Sequence, residues 1–188
     1  MAEAAGEQVA VASRISGTVE RLTQGNRVAL KVGDPVQASD HILTSADSRA
    51  RLQFPDGSTV VVGPASDLEI AAYDMTSKTQ PGALLRLAQG IVKAIVDTLP
   101  GNGRFQVAAP TAVAAVRGTS FIVQADKDKA GIFVIDGFVF VDTPQASGAA
   151  VTVQNNQGTD VPAGGKPSAP GPWSTERVRS VFALTGLE

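Results

Sequence analysis

Short runs of β-branched and aromatic residues, broken by glycine, dominate the chain from about residue 15 to residue 143. Val60-Val61-Val62, Leu84 to Leu87, Ile91 to Val96, Ile132 to Ile135 and Phe138 to Val141 read as strands. Arg51 to Phe54 alternates strictly, with Leu52 and Phe54 on one face, the period-two pattern of a half-buried strand. Asp56-Gly57 and Asp136-Gly137 each lie between two such runs and predict hairpins, because Asp-Gly accepts the positive φ of a tight turn. Gln89-Gly90 sits similarly between Leu87 and Ile91, and Gln24-Gly25-Asn26 predicts an earlier hairpin. Gly-x-Val units recur at Gly17, Gly90 and Gly137 with unequal separations. That spacing is no strict repeat, but it describes a chain folding back many times in short strands. The pattern predicts an all-β domain, either a short-strand β-solenoid-like wrap or a two-sheet sandwich.

Near Val161 the pattern changes. Residues 162–173 form a Pro/Gly-rich linker without hydrophobic periodicity. Residues 174–188 then carry a short helical signal: Ser174 as N-cap, Val178, Val181 and Phe182 on one face, Gly186 as the stop. The division expected is an N-terminal segment 1–14, a β-domain 15–161, the linker 162–173 and the helix 174–188. Trp173, Val178 and Phe182 are candidate partner contacts on that helix; the alternative is that the helix folds back on its own β-domain.

Composition narrows the function classes. A net charge of −2 and a pI near 5.4 give no electrostatic footprint for nucleic acid. The chain has no cysteine, which removes disulfides and thiolate metal sites. The longest apolar run, Phe105 to Ala125, is interrupted by Gln106, Pro110, Arg117 and Gly118 and does not read as a membrane span. Residues 1–7 are small and acidic, unlike a signal peptide, and suit a mature N-terminus.

No catalytic grouping emerges. His41 is the only histidine; it lies beside Asp40, but without a nucleophile elbow or a second histidine it reads as a surface or turn residue. Asp34, Asp40, Asp47, Asp56 and Asp67 are spread through turns without the tight spacing of a calcium loop. Neither a cofactor nor a metal is expected. Arg117 is the one charged side chain between Phe105 and Ala125. An isolated guanidinium in an apolar run needs a partner, so Arg117 is expected to be buried and satisfied by a carboxylate, Asp56 or Asp136, or by backbone carbonyls, the alternative being an anion or partner site.

The stretch around it, Ala109-Pro110-Thr111 through Arg117-Gly118-Thr119 to Phe121, resembles the signature of the FecR domain, the periplasmic part of ferric-citrate transport regulators. Gly17-x-Val19, Val32-Gly33-Asp34-x-Val36, Ile42-x-Thr44, Ser48 to Ser58, Ser66-x-Leu68, Leu85 to Val92 and Gly137-x-Val139 follow the family order. Ser39-Asp40 departs from it, where the family often has Gly-Asp. The resemblance implies a β-solenoid-like fold and marks Pro110, Thr111, Arg117, Gly118, Thr119 and Phe121 as family-motif residues. It implies a non-catalytic module, periplasmic or secreted, acting by protein–protein interaction in cell-envelope signalling or assembly. A polysaccharide of the envelope is the alternative ligand.

Overall fold

A computed structural model describes residues 7–144 and 149–187, so residues 1–6 of the expected N-terminal segment lie outside the described residues, as does the end of the expected helical segment, Glu188. In chain order the strands are β1 (Gln8–Ser16), β2 (Val19–Thr23), β3 (Asn26–Ala29), β4 (Pro35–Gln37), β5 (His41–Thr44), β6 (Arg49–Gln53), β7 (Thr59–Val62) and β8 (Asp67–Asp74). They continue as β9 (Gly82–Val96), β10 (Arg104–Ala108), β11 (Val113–Val116), β12 (Thr119–Ala125), β13 (Lys129–Asp136), β14 (Phe138–Asp142), β15 (Val151–Gln154) and β16 (Gly158–Pro162), before a single helix among the described residues, α1 (Thr175–Thr185). The protein is all-β with a short C-terminal helix.

The strands form two sheets. Sheet A runs β4-β1-β6-β7-β9-β12-β13-β16. Sheet B runs β3-β2-β5-β8-β9-β10-β11-β14-β15. Strand β9 belongs to both: its first half pairs with β8 and β10, its second half with β7 and β12. One apolar core lies between the sheets, with Leu52, Val60, Val92 and Phe121 from one and Ile70, Leu85, Phe105 and Val139 from the other. Phe54 binds the halves together, stacked on Tyr73 at 5.2 Å and edge-on to Phe105 at 6.3 Å.

Two of the turns expected as hairpins are sheet crossings instead. Asp136-Gly137 links β13 in sheet A to β14 in sheet B, which do not pair with each other. Gln89-Gly90 is a bend inside β9. Gly17, between β1 and β2, makes the same kind of crossing. The Gly-x-Val units thus mark corners, and all three glycines have positive φ, 75°, 101° and 91°. The reason is steric. A Cβ on Gly90 would lie 2.1 Å from the Ser66 hydroxyl and 2.5 Å from its Cα. A hydroxyl also fastens the residue after each corner glycine: Ser48 accepts from the Thr18 N–H at 2.8 Å, Ser66 accepts from the Ile91 N–H at 3.0 Å, and Thr119 donates to the Phe138 carbonyl at 2.9 Å. Sequence spacing could not separate a hairpin from a corner, because both need a glycine between two apolar runs. Gln24-Gly25 does close a two-residue hairpin between β2 and β3, and Asp56-Gly57 lies in the β6–β7 hairpin.

The tail returns to the domain. Ile91, Ile122 and Phe133 on the outer face of sheet A form a second apolar cluster with Val181, flanked by Trp173, Val178 and Leu184. The Pro/Gly segment leading there is hydrogen-bonded along β16, with Gly158 and Gly171 exchanging two backbone bonds of 2.8 and 3.1 Å. Ser174 caps α1 by accepting from the Arg177 N–H, and Gly186 stands at its C-cap.

Candidate functional site

The Arg-Gly-Thr element forms the corner where the chain passes from β11 in sheet B to β12 in sheet A. Its buried members fasten neighbouring segments. The Thr111 hydroxyl donates to the Val161 carbonyl at 2.8 Å, joining the motif to β16. The Thr119 hydroxyl holds the adjacent β13–β14 corner through Phe138. Phe121 is fully buried in the core. Gly118 lets the loop after β9 approach: a Cβ there would meet the Thr98 hydroxyl at 2.9 Å and its Cα at 3.1 Å. Pro110 is exposed at the β10–β11 turn.

Arg117 is not buried, contrary to the expectation. Its side chain is exposed, and the guanidinium donates to the Gly101 carbonyl in the loop before β10. The Arg117 carbonyl accepts from the Leu99 N–H at 2.7 Å, so the same loop is held twice. Neither expected carboxylate pairs with it. Asp56 accepts instead from the Ser58 N–H and hydroxyl and from Tyr73 at 3.1 Å, while Asp136 accepts from Asn155 at 3.4 Å. Burial, then the charge of Asp56, pushes the Tyr73 phenol well above its usual range, so it remains a donor to that carboxylate. An arginine in an apolar sequence run is compatible with exposure because alternate positions of a sheet strand face opposite ways: Ala114 and Val116 are buried, whereas Val113 and Ala115 are only partly so.

Following the outward positions of β11 across sheet B leads to an exposed aromatic pair. Ala115 lies opposite Phe140, and past the end of that ladder Arg117 stands exposed at a corner adjoining the one before Phe138, where a Cβ on Gly137 would lie 3.1 Å from the Gly118 carbonyl. Phe138 and Phe140 are 49% and 52% exposed and touch edge-to-face, with ring centroids 5.6 Å apart. Val139 and Val141 between and after them are fully buried. The smaller residues thus fill the core and the larger rings face solvent, the inverse of what side-chain size would favour. The sequence showed that alternation but not which set faces inward. Arg117, Phe138 and Phe140 form the candidate contact surface.

His41 and Asp40 do not act together. His41 Nδ1 lies 2.9 Å from Asp67, whereas Asp40 is fully buried, accepting from Thr23 and from the Gln37 N–H, with Arg21 at 3.8 Å. No cluster able to hold a metal ion occurs among the described residues. None of the described helices is long and apolar enough to cross a membrane.

The candidate tail contacts are engaged within the chain. Trp173 packs on Phe133 at 5.3 Å, the Arg177 guanidinium lies 3.3 Å above the indole, and Phe182 meets Phe133 edge-on at 6.5 Å. Val178 packs in the same cluster. The apolar helix face thus rests on sheet A, the fold-back alternative, with Trp173 and Val178 partly covered and Phe182 still 37% exposed.

The profile of the FecR protein family matches residues 40–140, more than half of the chain and inclusive of the corner motif. The chain belongs to the FecR family. No curated protein matches it in sequence. Two crystal structures of a protein from Parabacteroides distasonis assigned as an anti-sigma factor share the fold of this FecR domain, with TM-scores of 0.60 and 0.62, each at 20% identity. The matches cover 74% and 78% of this chain but 63% and 65% of those structures, so this chain spans less than two thirds of their length.

Proposed function

We propose that this FecR-family chain is a non-catalytic, extracytoplasmic signalling module that works by binding another protein through the outer face of sheet B. The observation that carries the reading is the solvent-facing, edge-to-face pair Phe138 and Phe140, with the exposed family-motif residue Arg117 at the adjoining corner. Exposed aromatics next to arginine match the composition of interface anchors. Family membership and the anti-sigma-factor fold neighbours support a regulatory role, and the family's envelope association supports an extracytoplasmic location.

The test is a binding comparison on purified protein and the envelope fraction of its native host. The double variant Phe138→Ser, Phe140→Ser should keep its melting midpoint and lose a protein partner that the unaltered chain retains. Retention of that partner by the folded double variant would reject this surface. Binding to isolated polysaccharide, with no protein partner, would reject the mode of action.

A further inference from the structure

Sheet A closes both of its edges. On β4 the Pro35 carbonyl accepts from Arg21, and the Gln37 N–H donates to Asp40 at 2.8 Å. Along β16 the Ser168 N–H donates to the Asp160 carbonyl at 2.9 Å, the Asp160 N–H donates to the Ser168 hydroxyl at 3.0 Å, and Gly171 pairs with Gly158. Sheet B is treated differently. Its β3 edge carries Arg27, 3.3 Å from Glu20, and a charged side chain on an edge strand discourages pairing. Its β15 edge reads Val151-Thr152-Val153-Gln154 and has no charge.

The ladder fixes which groups of β15 face outward. The Ala109 N–H bonds the Ala112 carbonyl at 2.7 Å, closing the β10–β11 hairpin. Bonded and non-bonded pairs then alternate across antiparallel strands. Val113 and Ala115 therefore bond Asp142 and Phe140, and Val139 and Val141 bond Val153 and Val151. That leaves the N–H and carbonyl of Thr152 pointing away from the sheet. Gln154, on the same side, agrees: its N–H goes to the Gln157 side chain at 3.3 Å and its carbonyl accepts from the Gln157 N–H at 3.0 Å. Among the described residues β15 pairs with β14 alone, so neither of these Thr152 backbone groups has a ladder partner.

We propose that β15 is an interface between two copies of this chain, with Thr152 meeting its own counterpart about a two-fold axis. Two unpaired backbone groups on an uncharged strand fit another strand, and a two-fold contact satisfies both copies at once and then closes. In that register Thr152 faces threonine, a favourable cross-strand pair, Val151 faces the counterpart of Val153, and no charge opposes its like. The outer face of sheet B stays free, so the dimer presents the Phe138–Phe140 surface twice. The inference does not depend on the proposed partner: either can fail alone.

Sedimentation of the purified full chain over a range of concentrations tests it. A concentration-dependent monomer–dimer equilibrium is expected. Thr152→Pro removes only the outward N–H and should weaken dimerisation by about tenfold or more. Thr152→Lys, which sets two cations face to face while leaving the fold's own ladder intact, should weaken it at least as much, and Thr152→Val should not. A chain that stays monomeric at every concentration would overturn the proposal. So would a dimer indifferent to both the lysine and the proline variant, which would place the contact elsewhere.

Discussion

Arg177 donates from both terminal nitrogens to the carboxylate of Asp160, at 2.7 and 2.8 Å, and so fastens the C-terminal helix to β16. Lys129 approaches the same carboxylate at 3.3 Å. Glycine makes the arrangement possible: a Cβ on Gly131 would lie 2.6 Å from Arg177, and one on Gly158 2.3 Å from the Trp173 indole. The hydrogen bonds from Arg177 hold the Asp160 carboxyl below its ordinary value, against the opposing effect of burial.

The pH dependence follows from that direction. A carboxyl with a depressed folded-state pKa contributes stability that is present above its unfolded pKa, about 4, and is lost as pH falls through the folded value. Acidification below about pH 4 should therefore loosen the tail before the β-domain unfolds, read as a change in Trp173 fluorescence. Arg177→Ala should remove that acid-sensitive step and cost about 1–2 kcal/mol through the lost ion pair and the lost contact with the indole. An unchanged fluorescence titration in the variant would contradict the role of this pair.

Removing the tail should harm the β-domain. Ile91, Ile122 and Phe133 are buried largely by the tail, so a chain ending at residue 162 should melt lower and aggregate more readily. The milder change Trp173→Ala, over the same cluster, should cost about 3 kcal/mol in denaturant unfolding. Equal stability of the shortened and full chains would show that the helix rests on the sheet without supporting it.

Glycine substitutions should rank by what the new Cβ meets. Gly25→Ala has nothing within 4 Å and only a positive φ of 85° to overcome, so about 1 kcal/mol is expected. Gly57→Ala has the same kind of backbone and a movable Asp97 side chain 2.5 Å away. Gly90→Ala drives into the Ser66 backbone at a sheet corner and should cost more than about 3 kcal/mol or prevent folding. Denaturation midpoints measure the order, and a Gly90 variant as stable as the Gly25 variant would refute the corner account.

Much of this was legible in the chain. Strand identity came through because the branched residues alternate, and Ser174 marked the helix start by known capping chemistry; Gly186 does stand at the end, but with a φ of −70° that any residue can adopt. The topology was less visible. A glycine between apolar runs reads alike whether the strands then pair, as around Gly57, or part into different sheets, as at Gly137. Arg117 misled for a related reason. Its neighbours are apolar in sequence, but Ala115 and Val113 face outward with it, and what it meets is the carbonyl of Gly101, an acceptor without a sequence signature. The exposed phenylalanines were hidden because alternation defines two faces without saying which is inside.

The corner motif should divide under mutation. Thr119→Val strands the Phe138 carbonyl and should cost about 1–2 kcal/mol. Arg117→Ala, at an exposed site, should change stability by less than about 1 kcal/mol while weakening partner binding. Thermal melts together with binding assays separate the two effects; a large stability loss at Arg117 would make it a structural residue.

Site-specific photo-cross-linking in the native envelope tests the contact surface most directly. A photoreactive residue replacing Phe140 should give a discrete protein adduct that disappears when Phe138→Ser is added. The same probe replacing Arg179, on the exposed side of the helix against sheet A, should give none. An adduct at Arg179 and none at Phe140 would contradict the account.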